Sequence, residues 1–288
     1  MSRRWTRCIV PAESPGIGNQ IGLESPISMV AQANELIRYR SLVTNLVAKD
    51  LKVRYKASVL GFFWSLLNPL LMMLVFTFVF TQLLGETIPH FPVFVLIGLL
   101  SWNWTSASVG AGHKTLIENA PLINKVYFPR MLLPISVVAS NMANYLLALP
   151  VIFLFMAIER MEFTPWLLYL PIIIIVQATF LTGLVLILSA LHIYFRDTSV
   201  LVDVGLTAWF FMTPIFYRVE DVVDPTLVEW MYWLNPMASI IAELHTVLYY
   251  GSVPDPLFMA RTFATGLVFL VIGYALFTRV SRHLGEHL

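Results

Sequence analysis

Charge is what this sequence lacks most. Only 12% of its 288 residues are Asp, Glu, Lys or Arg, against roughly 25% in soluble domains. Hydrophobic residues make up 58%, and the mean hydropathy is +0.76. That composition excludes a water-soluble globular fold, which could not hide so much apolar surface. Cysteine is almost missing as well: Cys8 stands alone, which excludes an intramolecular disulfide and a cysteine-based metal cluster. No G-x-x-x-x-G-K-[ST] run occurs, so the chain carries no phosphate loop. Glu243 and His245 do not complete H-E-x-x-H, and His90, His113 and His192 have no companions at ligand spacing, so no metal site is supported. The first 34 residues hold arginines but lack the apolar core of a signal peptide, and they read as a flexible cytoplasmic tail. A formal charge of +1 makes nucleic acid an unexpected partner.

What is present is a set of long apolar runs. A bilayer core needs about 20 apolar helical residues, and six segments meet that length, at about 57–84, 91–112, 131–158, 166–195, 200–217 and 257–278. They must be helices, because lipid offers a bare backbone no hydrogen-bond partner. The expected fold is therefore an all-α bundle of six transmembrane helices. Positive loops stay cytoplasmic. Arg38, Arg40, Lys49, Lys52, Arg54 and Lys56 precede the first span; Lys114, Lys125 and Arg130 follow the second; Arg196 follows the fourth; Arg279 and Arg282 close the chain. The remaining loops are dominated by acids such as Glu86, Glu159, Glu220, Asp221 and Asp224. Both termini are expected in the cytoplasm.

Three segments outside the spans carry pattern. Over 36–56, Leu36, Tyr39, Val43, Leu46, Val47 and Leu51 recur at helical spacing opposite a basic stripe, which predicts an amphipathic helix in the cytoplasmic interface. It reads either as an anchor alone or as an anchor that also docks a partner. The loop KTLIENAPLINKVYFPR (114–130) mixes charges with Leu116, Ile117, Leu122, Ile123, Val126 and Tyr127. This predicts a short helix broken at Pro121 and Pro129, available either to a partner's groove or to the membrane surface. The last external loop, 218–256, is too long to lack structure. Its stretches PTLVEWMYWL and MASIIAELHTVLYY, split by Asn235 and Pro236, predict a helical hairpin, either re-entrant or interfacial.

The motifs LVAKDLKVRYKASVLGFFWSLLNPLL (46–71), ENAPLINKVYFPRMLLP (118–134), YFRDT (194–198), TPIFY (213–217) and LNPM (234–237) occur in that order. Together they resemble the permease subunits of ABC-2-type polysaccharide exporters, which move lipid-linked O-antigen, capsule or teichoic acid polymers. The resemblance covers 35–288, the transmembrane domain, and leaves the first 34 residues unexplained. It implies a transport subunit rather than an enzyme, sitting in the cytoplasmic membrane. It further implies a homodimer whose interface forms the channel, driven by two separate nucleotide-binding subunits that hold the ATP and magnesium, so this chain needs no cofactor. It places the coupling contact around Glu118, Asn119, Leu122, Ile123 and Lys125, with Arg196 and Asp197 near the same face.

A sliding sugar polymer calls for surfaces that do not grip, and aromatic rings supply them. Trp64, Trp209, Phe211 and Tyr217 are the candidate conduit residues, against the alternative of interface belts or plain packing. Asp203 follows Arg196 by two helical turns and is expected to pair with it, and Asn68 with Pro69 is expected to mark a kink. Three rivals remain: a related exporter of a small drug, lipid or haem; a membrane-embedded glycosyl- or acyltransferase, which would need convergent acids, bases or a metal; and a passive channel.

Overall fold

The computed structural model describes residues 39–56, 63–85, 88–123, 125, 128–195, 197–222 and 224–281. The described residues from Arg40 onward form one compact unit, which is helical, with no strand among the described residues. In chain order the helices are α1 (Arg40–Lys56), α2 (Phe63–Thr77), α3 (Phe91–Gly112), α4 (Thr115–Glu118), α5 (Ala120–Ile123), α6 (Leu132–Ile158), α7 (Leu170–Tyr194), α8 (Thr198–Met212), α9 (Val219–Val222), α10 (Pro225–Leu234), α11 (Pro236–Leu244) and α12 (Pro256–Ser281). Wider π turns extend α2 over Phe78–Leu83 and α11 over His245–Tyr249.

Five helices are long and apolar enough to cross a membrane: α2 with its extension, α3, α6, α7 with the turn before it, and α12. The sixth expected span is shorter. Helix α8 has 15 residues, about 22 Å at 1.5 Å per residue, which falls short of the ~30 Å hydrocarbon core. The chain goes on through Thr213, Pro214, Ile215 and Phe216 without helix, and all four are buried. Irregular backbone at such depth is tolerated only under protein cover. The run 200–217 is therefore a short helix plus a buried extended segment, which a hydropathy window cannot tell from a longer helix. In α2 the helix runs on through Pro69, and the irregular turn comes later, at 78–83.

Helix α3 is the axis of the bundle. It packs against α2, α6, α7, α8 and α11, and 78% of its most apolar 18-residue stretch is buried, against 11% for that of α2 and 17% for that of α12. It is also the least apolar of these, with a mean hydropathy of 1.3 against 1.9 and 1.8. Lipid-facing helices must be greasy all round, whereas a central one can hold polar groups that bond to one another. Ser101, Thr105 and Gln177 are fully or almost fully buried. The Ser101 hydroxyl donates to Gln177 Oε1 at 3.1 Å, and Gln177 Nε2 donates to Ser101 O at 3.0 Å and to Thr105 Oγ1 at 3.2 Å. That network joins α3 to α7 in the apolar interior.

The tightest contact is between α7 and α12. A Cβ at Gly273 would fall 2.3 Å from Gly183 O, and one at Gly183 would fall 2.4 Å from Leu270 N. Two glycines facing across a crossing let the backbones touch, which is how helices gain dispersion energy where no hydrophobic effect separates side chain from lipid.

The bundle has two distinct ends. At one, Arg130 Nη1 donates to Ser281 O at 2.7 Å, so the end of the loop after α3 caps the last turn of α12, a favourable site for a cation. At the other, His90 before α3 meets Glu159 after α6 at 2.9 Å, and the Tyr249 hydroxyl donates to Pro89 O. Helix α1 lies along α6: Leu46 is buried and Asp50 accepts from Ser140 at 3.3 Å, while Arg40, Lys49 and Lys52 stay exposed.

Candidate functional site

The first candidate surface is the end that bears Arg130. Helix α4 is anchored by Thr115 and Leu116, both buried, against α6 and α7. The break between α4 and α5 falls at Asn119 rather than at Pro121, while Pro129 lies outside helix before α6. Its side-chain amide donates back to Thr115 O at 2.8 Å, and its carbonyl accepts from Leu122 N and Ile123 N, both at 3.0 Å. Asn119 thus ends one helical turn and starts the next, and Pro121 sits in the first turn of α5, where a missing N–H costs nothing. The platform presents Ile117, Glu118, Pro121 and Lys125 to the outside, with Leu122 and Ile123 half-buried.

Beside it, the start of α8 is tied to the end of α3. His113 is fully buried, and burial pushes its imidazole below the ordinary value. In the neutral ring Nδ1 carries the proton, because it meets Val109 O at 2.8 Å, and Nε2 accepts from the Ser199 hydroxyl at 3.2 Å. The His192 ring packs edge-on at 5.1 Å. Asp197 is exposed on this same end, whereas Arg196 lies outside the described residues. Asp203 is exposed on α8. Of the basic set, Arg38 lies outside the described residues, and Arg54 and Lys56 are described for backbone only.

Among the conduit candidates whose side chains are described, Trp209 and Phe211 face different ways. Trp64 is described for backbone only. Trp209 faces inward, its ring edge-on to Trp102 at 5.5 Å and Phe180 at 6.1 Å. Phe211, two residues on, is 60% exposed, since a step of two turns a helix by more than half a circle. Its companions on the outward side of α8 are Val200, Leu201, Val204 and Met212. Between α7 and α8 runs a groove of about 520 Å³ lined by Leu184, Leu188, Leu191, Leu201 and Leu206, nearly devoid of polar atoms.

Tyr217, whose hydroxyl donates to Phe211 O at 3.2 Å, lies toward the end where the hairpin of α10 and α11 sits. There Asn235 joins the motifs TPIFY and LNPM. Its Oδ1 accepts from Trp209 Nε1 at 2.8 Å and caps α11 through Met237 N at 3.1 Å and Ala238 N at 3.2 Å. Its Nδ2 donates to Met212 O at 3.2 Å and Thr213 Oγ1 at 3.1 Å. One amide therefore satisfies the start of α11 and the irregular end of α8. Helix α11 is almost wholly buried against α3 and α7, and Thr105 donates to Met237 Sδ at 3.3 Å. At the far end of α11, His245 stacks on Phe94 at 3.9 Å and its Nε2–H donates to Phe94 O at 3.0 Å. Sequence reasoning marked Asn235 only as a turn signal and passed over the Ser101–Thr105–Gln177 network. A polar triplet inside the apolar runs was the available signal.

A family model described as ABC-2 type transporter matches residues 41–249. The chain belongs to the ABC-2 type transporter family. The matched stretch of this ABC-2 transporter runs from α1 through the π turn after α11, so it takes in both the Asn119 platform and the hairpin. Among curated proteins, the chain is 38% identical over 231 residues to an O-antigen export system permease protein RfbA of Myxococcus xanthus, covering 79% of this chain and 87% of that one. It is 34% identical over 246 residues to a protein of the same name from Klebsiella pneumoniae, covering 85% and 94%. As an ABC-2 transporter with several apolar helices, the chain is a multi-pass membrane protein and a transport subunit, of a family that works with an ATP-binding partner subunit.

Proposed function

We propose that this chain is the transmembrane permease of an exporter that carries lipid-linked polysaccharide of the O-antigen type across the cytoplasmic membrane. It works as a homodimer, with two separate ATPase subunits docked on the α4–α5 platform. Both termini, α1 and that platform face the cytoplasm, and α10–α11 enter from the outer side as a re-entrant hairpin. The curated relatives named O-antigen export permeases match over most of their length and support the substrate class.

The observation that carries the reading is the Arg130–Ser281 contact at 2.7 Å. It puts the loop after α3 and the end of α12 at one end of the bundle, and these are the segments whose Lys and Arg mark the cytoplasmic side. At that end a buried base holds a rim of Ile117, Glu118, Pro121 and Lys125, the mixed surface by which short helices seat in a partner's groove. In the test, cells deleted for this chain are expected to accumulate full-length lipid-linked polymer inside, and the tagged chain is expected to co-purify with a subunit bearing a phosphate loop. Unchanged surface polymer in the deleted cells would sink the proposal.

A further inference from the structure

Between the hairpin and the start of α12 lies a cavity of about 310 Å³, walled by Tyr217, Arg218, Glu220, Tyr232, Glu243, Tyr250, Asp255 and Phe258 among others. Its least explained member is Glu243. The residue is 3% exposed, and neither carboxylate oxygen has a hydrogen-bond partner by geometry among the described residues, although the Thr262 hydroxyl lies close enough to act on the carboxyl group. Thr262, beside it on α12, donates its hydroxyl proton to Phe258 O at 2.9 Å. Arg261 holds its guanidinium over the rings of Trp233 and Phe258, at 4.8 and 4.4 Å, and reaches Ser239 Oγ at 3.4 Å. A buried carboxylate that shares at most the Thr262 hydroxyl with Phe258 O is costly by several kcal/mol, so its presence on a cavity wall calls for a ligand that donates.

The other polar groups in the wall are engaged. Arg218 pairs with Asp221 at 2.6 Å, the Tyr232 hydroxyl donates to Glu220 at 3.4 Å, and Asp255 caps Leu257 N at 2.9 Å. The lining is thus aromatic faces, carboxyl groups and one guanidinium, that of Arg218. Phosphate or another anion meets three carboxyl groups, Glu220, Glu243 and Asp255, against the single guanidinium of Arg218, which Asp221 already engages, and an acyl chain gains nothing from any of them. The volume equals roughly ten waters at about 30 Å³ each, the room one pyranose ring occupies.

We propose that this cavity is a carbohydrate subsite, in which Glu243 accepts hydrogen bonds from neighbouring hydroxyls of one sugar unit while Tyr217, Tyr232, Tyr250 and Phe258 offer ring faces. The proposal rests on the export reading, with the hairpin on the outer side, and it adds a place where the emerging glycan is held. Burial pushes the Glu243 carboxyl up to about 7, and hydroxyl donors from a sugar restore the ionised form.

The test uses the full-length protein in lipid nanodiscs and saturation-transfer NMR. The probes are the methyl glycosides of mannose, rhamnose and galactose, with inorganic phosphate and tetramethylammonium as competitors. At least one glycoside is expected to show transfer, with affinity falling about tenfold in Glu243→Gln and likewise in Tyr250→Ala, a half-exposed residue whose removal leaves the fold intact. Three results overturn the proposal: no transfer from any glycoside, transfer that survives both substitutions, or displacement by phosphate or tetramethylammonium. Normal polymer export by a protein that binds no glycoside would sink the subsite alone, whereas unchanged surface polymer in deleted cells would sink the export reading.

Discussion

Replacing Asn235 is the sharpest perturbation of the fold. The side chain is 7% exposed and makes the five hydrogen bonds described above. Asn235→Ala removes the cap of α11, worth about 1 kcal/mol. It also strands the Trp209 indole N–H and the Met212 carbonyl, at about 1 kcal/mol each when interhelical bonds in membranes are valued conservatively. The sum is roughly 3 kcal/mol, which lowers the melting midpoint by about 5 °C for a chain of this size. Asn235→Asp keeps the three acceptor contacts but turns Nδ2 into an oxygen aimed at Met212 O, so it should cost at least as much. In detergent, thermal unfolding followed by size-exclusion fluorescence reads both variants, and Trp209→Phe completes a double-mutant cycle. Within that cycle, Asn235→Ala should cost less by about 1 kcal/mol in the Trp209→Phe background. If Asn235→Asp melted like the wild type, the donor role of Nδ2 and the argument for a supported break in α8 would both be refuted.

Other outcomes follow from single contacts. Gly273→Leu should abolish folded protein on gel filtration, because its Cβ would lie 2.3 Å from Gly183 O, whereas Gly110→Ala meets nothing within 4 Å and should be neutral. Leu122→Ala with Ile123→Ala should leave thermal stability within about 0.5 kcal/mol while cutting co-purification of the ATPase subunit and polymer export at least tenfold. Glu243 carries a pH signature: its folded value of about 7 lies above the usual 4.5, so the folded state binds the proton more tightly. Its contribution is therefore full below pH 4.5 and lost as pH rises through 7. Glu220, Tyr232, His245 and Arg261 surround it, with Arg261 opposing the shift. Melting should drop between pH 5 and 8 by the equivalent of about 3 kcal/mol at most in the wild type and stay flatter in Glu243→Gln.

The architecture was legible wherever a segment's period or length decided it. Apolar length alone located α3, α6, α7 and α12, and the stretch PTLVEWMYWL coincides with α10 residue for residue. What composition could not reveal was how polar side chains settle the exceptions. TPIFY is as apolar as the helix before it, so the end of α8 at Met212 depends on Asn235, twenty-three residues later in sequence at a 3.2 Å contact. In the loop after α3, Pro121 drew attention to the wrong break, because Asn119 closes a turn with its own amide while Pro121 fits a helix start. Trp209 and Phe211 look equivalent as letters, yet only a bundle shows that one is wedged among rings and the other looks outward.

Sidedness underlies the docking, hairpin and sugar-subsite arguments alike, and the lone cysteine makes it easy to measure. In a Cys8→Ser background, single cysteines replace Glu118 on the platform and Glu229 on α10, both exposed, and intact cells are treated with a membrane-impermeant maleimide. The account expects label at position 229 in intact cells and at position 118 only after the membrane is opened. Label at position 118 from outside, with 229 protected, would contradict it.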